Sequence, residues 1–180
     1  MSYNIIINIF TFLHSMRQKG CDVMGFPKVE RLLINYKTLD EFKKFKGCGA
    51  QELSMLEELQ ANIIENNSES PFYGIYYGGS LIARMSLYMK RNGGEPFEIT
   101  GTYLELYKLE VLPTFQKQGF GEMLVNYAKG LQFPIKTIAR IHSAGFWDKL
   151  NFQPVSVPDG DFYVWHPETN LNTVTNEESA

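Results

Sequence analysis

One junction constrains this chain more than any other stretch. Gly101 to Val111 reads GTYLELYKLEV, an extended run rich in aromatic and β-favouring residues, and Pro113 ends it. From Gly119 onward, Phe120, Met123, Leu124, Tyr127 and Leu131 recur every three to four residues, the period of a helix with one buried face. A strand therefore runs through a short turn into a helix. Plain alternation puts Tyr103, Glu105, Tyr107, Leu109 and Val111 on one face of the strand, and Leu104, Leu106, Lys108 and Glu110 on the other. The first turn of the helix leaves its backbone N–H groups unpaired, aligned with the positive end of the helix dipole. A phosphate or pyrophosphate fits such a terminus. Gly119 and Gly121 let the backbone approach a ligand closely, and Gln116, Lys117 and Gln118 add donors at the rim. A third glycine of a dinucleotide fingerprint would fall at Leu124, and no Gly-Lys-Ser/Thr closes a P-loop.

The rest of the chain supplies the elements of a mixed α/β fold. Lys28 to Asn35 has strand-like content. Thr38 or Asp40 can cap a short helix through Lys46, with Leu39, Phe42 and Phe45 on one side, and Gly47, Cys48 and Gly49 break it. A second helix spans about Gln51 to Asn66, its stripe made by Leu53, Leu56, Leu59 and Ile63. After a polar loop to Pro71, Phe72 to Tyr77 and Leu81 to Met89 flank Gly78-Gly79-Ser80, a hairpin with strong turn chemistry. Arg91 to Pro96 is another turn. Pro134 to Ile141 reads as a strand, Ser143 to Leu150 as a short helix and Tyr163 to Trp165 as a last strand. No repeat or linker divides the chain. The expected organisation is an extension over residues 1–27, one domain over 28–167 and a frayed polar tail over 168–180.

Composition narrows the function classes. With 180 residues, 44% apolar and 21% charged, the chain can bury a core without disulfides or metal. A net charge of −3 gives no global field that would draw it to nucleic acid. Cys21 and Cys48 form no CxxC pair and lack the histidine spacing of a zinc site. Free thiols in a reducing cytoplasm and no metal are the expectation. Ile5 to Leu13 is apolar, but falls well short of the roughly 20 residues that span a membrane. No positive charge precedes it, as a signal peptide would require. It is an extra docked element, a disordered extension, or translated from a start upstream of the native one. The last two fit best, because regular patterning begins just after Met24, and the intact mass of the native protein distinguishes them.

The full junction, Leu109-x-Val111-x-Pro113 followed by Gln116-x-x-Gly119-x-Gly121, resembles the acetyl-CoA-binding segment of the GNAT (GCN5-related N-acetyltransferase) superfamily. The order of elements from Lys28 to Trp165 is similar to that family's. The resemblance implies an α/β (α+β) GNAT fold: a central mixed, mostly antiparallel sheet flanked by helices, a final hairpin, and a splayed strand pair that admits coenzyme A. It implies main-chain contacts from Leu109, Glu110 and Val111 to the pantetheine arm. Gln116, Lys117, Gln118, Gly119, Phe120, Gly121, Glu122 and Met123 would hold the pyrophosphate. It further implies acetyl-CoA as co-substrate and a small-molecule or peptide amine as acceptor. No membrane or nucleic-acid partner follows from it, and a homodimer is compatible with it.

Amine acetylation needs a base for the amine and a proton for the departing thiolate. Glu105 is the candidate base, since a glutamate at the matching position serves so in several members; a solvated or salt-bridged strand glutamate is the alternative. Tyr107, on the same expected face, would line the acceptor site or simply pack. His142 is a further candidate, with a satisfied or exposed histidine as its alternative. The chain departs from the family where many members carry Asn-x-x-Ala-x-x-Phe-Tyr-x-x-x-Gly-Phe: here Arg140, Ser143, Phe146, Trp147, Asn151 and Phe152 stand in those places. The family's tyrosine commonly protonates the thiolate. Trp147 offers an indole N–H without useful acidity, so the proton would come from elsewhere or from solvent. Phe146 and Trp147 are expected against the coenzyme-binding helix or the pantetheine arm. Two other expectations stay open: a non-catalytic CoA-binding or regulatory module, and a binder of another phosphate ligand.

Overall fold

A computed structural model describes residues 26–45, 55–65, 69–138, 143–158 and 160–168. The apolar run at Ile5 to Leu13, Met24, both cysteines, Arg140, His142 and the tail beyond residue 168 lie outside them. The described elements are β1 (Val29–Arg31), α1 (Tyr36–Phe42) with a 3-10 turn (Lys43–Phe45), α2 (Met55–Ile64), β2 (Phe72–Tyr77), β3 (Ser80–Arg91) and β4 (Thr102–Val111). A 3-10 turn (Pro113–Phe115) leads to α3 (Phe120–Gly130), followed by β5 (Ile135–Ile138), α4 (Ala144–Lys149), β6 (Gln153–Val157) and β7 (Gly160–Trp165).

Local chemistry explains most boundaries. β1 is shorter than the Lys28–Asn35 stretch because Asn35 belongs to the next element. Its Oδ1 accepts the Thr38 N–H at 2.9 Å, so Asn35, rather than Thr38 or Asp40, caps α1. Gly78 and Gly79 both take positive φ, 59° and 75°, which the two-residue turn between β2 and β3 requires. β6 was not legible as a strand. It is an edge strand of partly exposed residues, and it contains Pro154, which a sheet tolerates at its edge.

Among the described residues the strands form one seven-stranded sheet, ordered β1-β2-β3-β4-β5-β7-β6. Every neighbouring pair is antiparallel except β4 with β5. On one face, Ala83, Met85, Leu87, Leu104, Leu106 and Ile135 pack under Phe120, Leu124, Val125 and Ala128 of α3 and Trp147 of α4. On the other face, Leu32, Phe72 and Leu81 pack under Leu39 and Phe42 of α1 and Met55 and Leu59 of α2. Burial on both faces is the main source of cohesion, at about 25 cal/mol per Å2 of apolar surface removed from water.

Two β-bulges decide which residues face which layer. Ile75 pairs with Ala83 and Tyr76 with Leu81, so Ile82 is an extra residue on β3. Leu81 accordingly joins the core under α1 and α2, while Ile82 joins the core under α3. In β4 the extra residue is Tyr107: Ser86 pairs with Lys108, and Leu87 with Leu106. The alternation reverses there. Leu104, Leu106, Leu109 and Val111 all turn toward α3. Glu105 lies between two residues of that face and so turns the opposite way, toward the α1–α2 layer. The expectation that Glu105 shares a face with Leu109 and Val111 is therefore corrected, since plain alternation holds only in an unbulged strand.

Candidate active site

The site starts where the described pairing of β4 with β5 ends. β4 pairs with β5 at Leu104, Glu105 and Leu106 only, and β5 is described as far as Ile138. From Tyr107 to Val111, β4 has a strand partner on the β3 side and none on the other among the described residues. On the face of the sheet there, the Leu109 side chain lies against Gly121 at the start of α3. The bulge at Tyr107 falls where the described β4–β5 pairing ends, and a bulge bends its strand and increases the local twist.

The turn between β4 and α3 is organised by its own side chains. The Gln116 side-chain amide donates to the Val111 carbonyl at 3.1 Å, and that of Gln118 donates to the Thr114 carbonyl at 2.9 Å. Both glutamines thus brace the loop, in addition to any role at its rim. A carbonyl oxygen has two lone pairs, so Val111 can still accept a second bond. Lys117 takes a positive φ of 60°, and Gly119, the N-cap of α3, takes φ 90°. The first bond closing the helix runs from the Met123 N–H to the Gly119 carbonyl, at 2.9 Å. The amides of Gly119, Gly121 and Glu122 precede that bond, where a helix lacks intrahelical acceptors.

Leu109, Gly121 and Phe146 meet at this start. A Cβ on Gly121 would stand 3.5 Å from Leu109 Cδ2 and 3.5 Å from Phe146 Cε2 and Cζ. The helix start is therefore seated against the Leu109 side chain of β4 and the Phe146 ring of α4. A Cβ on Gly119 would meet nothing within 4 Å. The space beside the Gly119 Cα at the start of α3 is therefore open. Phe120 is buried and Met123 half-buried against the same core. Glu122 is felt electrostatically by Lys129 farther along α3. The Lys129 ammonium donates to the Leu150 carbonyl and lies 5.2 Å from the Phe152 ring centre and 4.9 Å from that of Trp165, tying α3 to the C-terminal strands.

Trp147 sits behind Phe146, its ring centre 4.9 Å from that of Phe146 and 5.1 Å from that of Phe152. It is 5% exposed, and its indole N–H donates to Ser143 Oγ at 3.2 Å. Of the expected aromatic pair, Phe146 is the one that reaches Gly121, while Trp147 fills the core.

Glu110 and Glu105 differ in surroundings. The Glu110 carboxylate takes two contacts from the buried Arg84 guanidinium, 2.7 Å to Nε and 2.6 Å to Nη2. Arg84 also donates to the Phe42 carbonyl at 3.2 Å and lies over the Phe42 and Phe45 rings, at 4.4 and 4.3 Å. The Glu110 side chain thus belongs to a structural cluster under α1. Glu105 is half-buried, opposite Tyr88 on β3 and Lys136 on β5. The Tyr107 ring stands edge-on to that of Tyr88 at 6.5 Å.

Among the described residues, β4 thus has no partner on its β5 side from the bulge at Tyr107 onward, beside the start of α3. The acetyltransferase (GNAT) family model matches residues 35–152, and the chain belongs to that family of enzymes. It is 99% identical over 157 residues to an uncharacterised N-acetyltransferase of Bacillus cereus strain AH187, covering 87% of this chain and 100% of that protein. It is 98% identical over the same length to a counterpart in Bacillus thuringiensis strain Al Hakam. Among solved structures it is similar to the Bacillus subtilis N-acetyltransferase YlbP in complex with coenzyme A. That likeness has 57% identity, covers 79% of this chain and 97% of that one, and has a TM-score of 0.65. Arabidopsis thaliana Naa50, at 12% identity, 77% and 95% coverage and a TM-score of 0.55, shares the fold. Among the described residues no group of three or more His, Cys, Asp or Glu side chains could hold a metal ion. No described helix is long and apolar enough to cross a membrane.

Proposed function

We propose that this enzyme transfers an acetyl group from acetyl-CoA to the primary amine of a small molecule or peptide, by direct attack in a ternary complex in the cytoplasm. The observation that carries the proposal is the meeting of β4, unpartnered on its β5 side among the described residues, with the start of α3 at Leu109, Gly121 and Phe146. Similarity to YlbP, crystallised with coenzyme A, supports it. In this arrangement the main chain of Leu109, Glu110 and Val111 pairs with the pantetheine arm. The backbone from Gln116 to Met123 receives the pyrophosphate, whose charge the helix dipole favours. Phe146 flanks the arm, with Trp147 packed behind it.

Acetyl-CoA brings the acyl group and a thiolate leaving group. A thiol pKa near 8.5 makes that leaving group tolerable with solvent as the acid. The buried and hydrogen-bonded Trp147 takes no part in that protonation. Glu105 removes the amine proton, directly or through water, from the face of β4 opposite α3. Tyr107, at the bulge, lines the passage between the two faces. General-base catalysis contributes about 100-fold or more. Glu105→Gln is therefore expected to lower kcat for an amine by about that factor, with the KM for acetyl-CoA kept. Thiol release measured across a panel of amines checks this. Unchanged kcat in the variant would remove Glu105 from the mechanism, and tight acetyl-CoA binding with no transfer to any amine would leave a coenzyme-binding module.

A further inference from the structure

Among the described residues three buried side-chain oxygens have no hydrogen-bond partner, and all belong to the side of the sheet that carries Glu105. They are Glu58 Oε2, Ser86 Oγ and Tyr88 Oη. Ser86 and Tyr88 are two residues apart on β3, so their side chains leave the same side of the strand. Ser86 pairs with Lys108 and Tyr88 with Glu105. Glu58 comes down from α2 and feels the charge of Lys108. Its neighbours Met55 and Leu59 pack in the same core as Phe72, the β2 partner of Ser86. A carboxylate on the helix layer and two hydroxyls on the sheet thus lie on one side of the sheet, with Lys108 the strand partner of Ser86 and within electrostatic reach of Glu58.

Buried polar atoms are partnered in nearly all folded proteins, and each orphan costs about 1–3 kcal/mol. Three such acceptors on one side of the sheet are groups whose bonding a ligand can complete. They also lie where the reaction needs them. The Tyr107 ring stands against that of Tyr88, and Tyr107 is the bulge where the described β4–β5 pairing ends. An acceptor on this side reaches a thioester held on the α3 side past the end of that pairing. All three orphans can accept a hydrogen bond. A primary ammonium is a compact donor of three hydrogen bonds with no acceptor of its own. The charged groups near these oxygens are Glu58 from α2, Lys108 and Glu105 from β4, Lys90 from β3, whose Nζ lies 5.6 Å from the Tyr88 ring centre, and Lys136 from β5, paired with Glu105. Lys136 is turned onto the rings of Phe97 and Phe162, at 3.9 and 4.7 Å.

Resting on the acetyltransferase function proposed above, we infer that Glu58, with Ser86 and Tyr88, forms the subsite that docks the amino group of the acceptor. Glu105 then takes the proton from the docked group. Glu58 is a positioning and specificity residue, and the site selects amines that arrive protonated.

The test uses the full chain with acetyl-CoA and n-butylamine, spermidine, lysine and a short peptide with a free amino terminus. For each amine turned over, Glu58→Gln and Tyr88→Phe are expected to raise the amine KM by about tenfold or more. The KM for acetyl-CoA is expected to stay within about twofold and the fold to remain intact, since neither Glu58 Oε2 nor Tyr88 Oη has a hydrogen-bond partner in the protein and both variants keep the side-chain shape. Ser86→Ala is expected to raise the amine KM while leaving the melting temperature unchanged or higher. A merely structural hydroxyl would not produce that combination. An unchanged amine KM in Glu58→Gln and Tyr88→Phe overturns the subsite and leaves the acetyltransferase function standing. If the wild type acetylates no amine, both fall together.

Discussion

Tyr107 changes the meaning of its neighbours without doing chemistry that its side chain alone would suggest. Inserted as an extra residue, it turns Glu105 to the α1–α2 layer while Leu109 and Val111 face α3. One strand thereby presents a base to one side and a ligand-binding edge to the other. Glu58 is the residue whose environment most rewards measurement. Burial raises its carboxyl above the ordinary value of 4.5, and the Lys108 charge offsets part of that rise. The folded state therefore holds this proton more tightly than the unfolded state does. The stability it contributes is fully present below about 4.5 and is lost as pH rises through the higher folded value. Urea titrations of the wild type and Glu58→Gln, from about pH 4 to about pH 8, are expected to show the wild type losing stability relative to the variant as pH rises. A constant difference would contradict the burial of this group. Nothing in the helical pattern marked Glu58, because the sequence places it beside the apolar stripe with several other glutamates.

At the scale of the element, the start of α3 joins folding and binding. Gly119 adopts φ 90°, a conformation that costs an L-residue about 1–2 kcal/mol. No neighbour lies within 4 Å of where its Cβ would stand, so the cost of a side chain there is conformational. Gly130, at the other end of the same helix, also has open space and has no positive φ. Gly119→Ala is expected to destabilise by about 1 kcal/mol. Gly130→Ala is expected to stabilise by about 0.5–1 kcal/mol. Denaturant unfolding of the two variants should therefore give opposite signs, and a shared sign would show that backbone conformation does not govern this helix. The two glycines and the preceding proline were legible as a strand-to-helix junction. The bracing of that junction by Gln116 and Gln118 was not, since a side-chain amide can donate outward or back onto its own loop, and only the loop's curvature brings Val111 and Thr114 within reach.

For the whole molecule, the coenzyme is expected to act as a fold-stabilising ligand. At about 100 times its Kd, a ligand that binds only the native state adds about 2.7 kcal/mol. In a chain of this size that is a rise of about 5–10 °C in melting temperature. Thermal unfolding with CoA, acetyl-CoA, ATP and NAD checks this, and stabilisation by ATP or NAD without CoA would point to another phosphate ligand. The sequence by itself determined the element types, the hairpin, the strand-to-helix junction and the amide-lined start of α3. These depend on near neighbours: apolar spacing, turn residues and caps act within a few positions. Tertiary structure alone decided the direction of Glu105, the β6 edge strand, the burial of Trp147 in the core, the Arg84–Glu110 pair and the placement of Glu58, Ser86 and Tyr88 on one side of the sheet. A bulge is set by the register between two strands, and a buried polar cluster by side chains from distant segments. Pairing across the sheet fixes both, and no local pattern of residues encodes it.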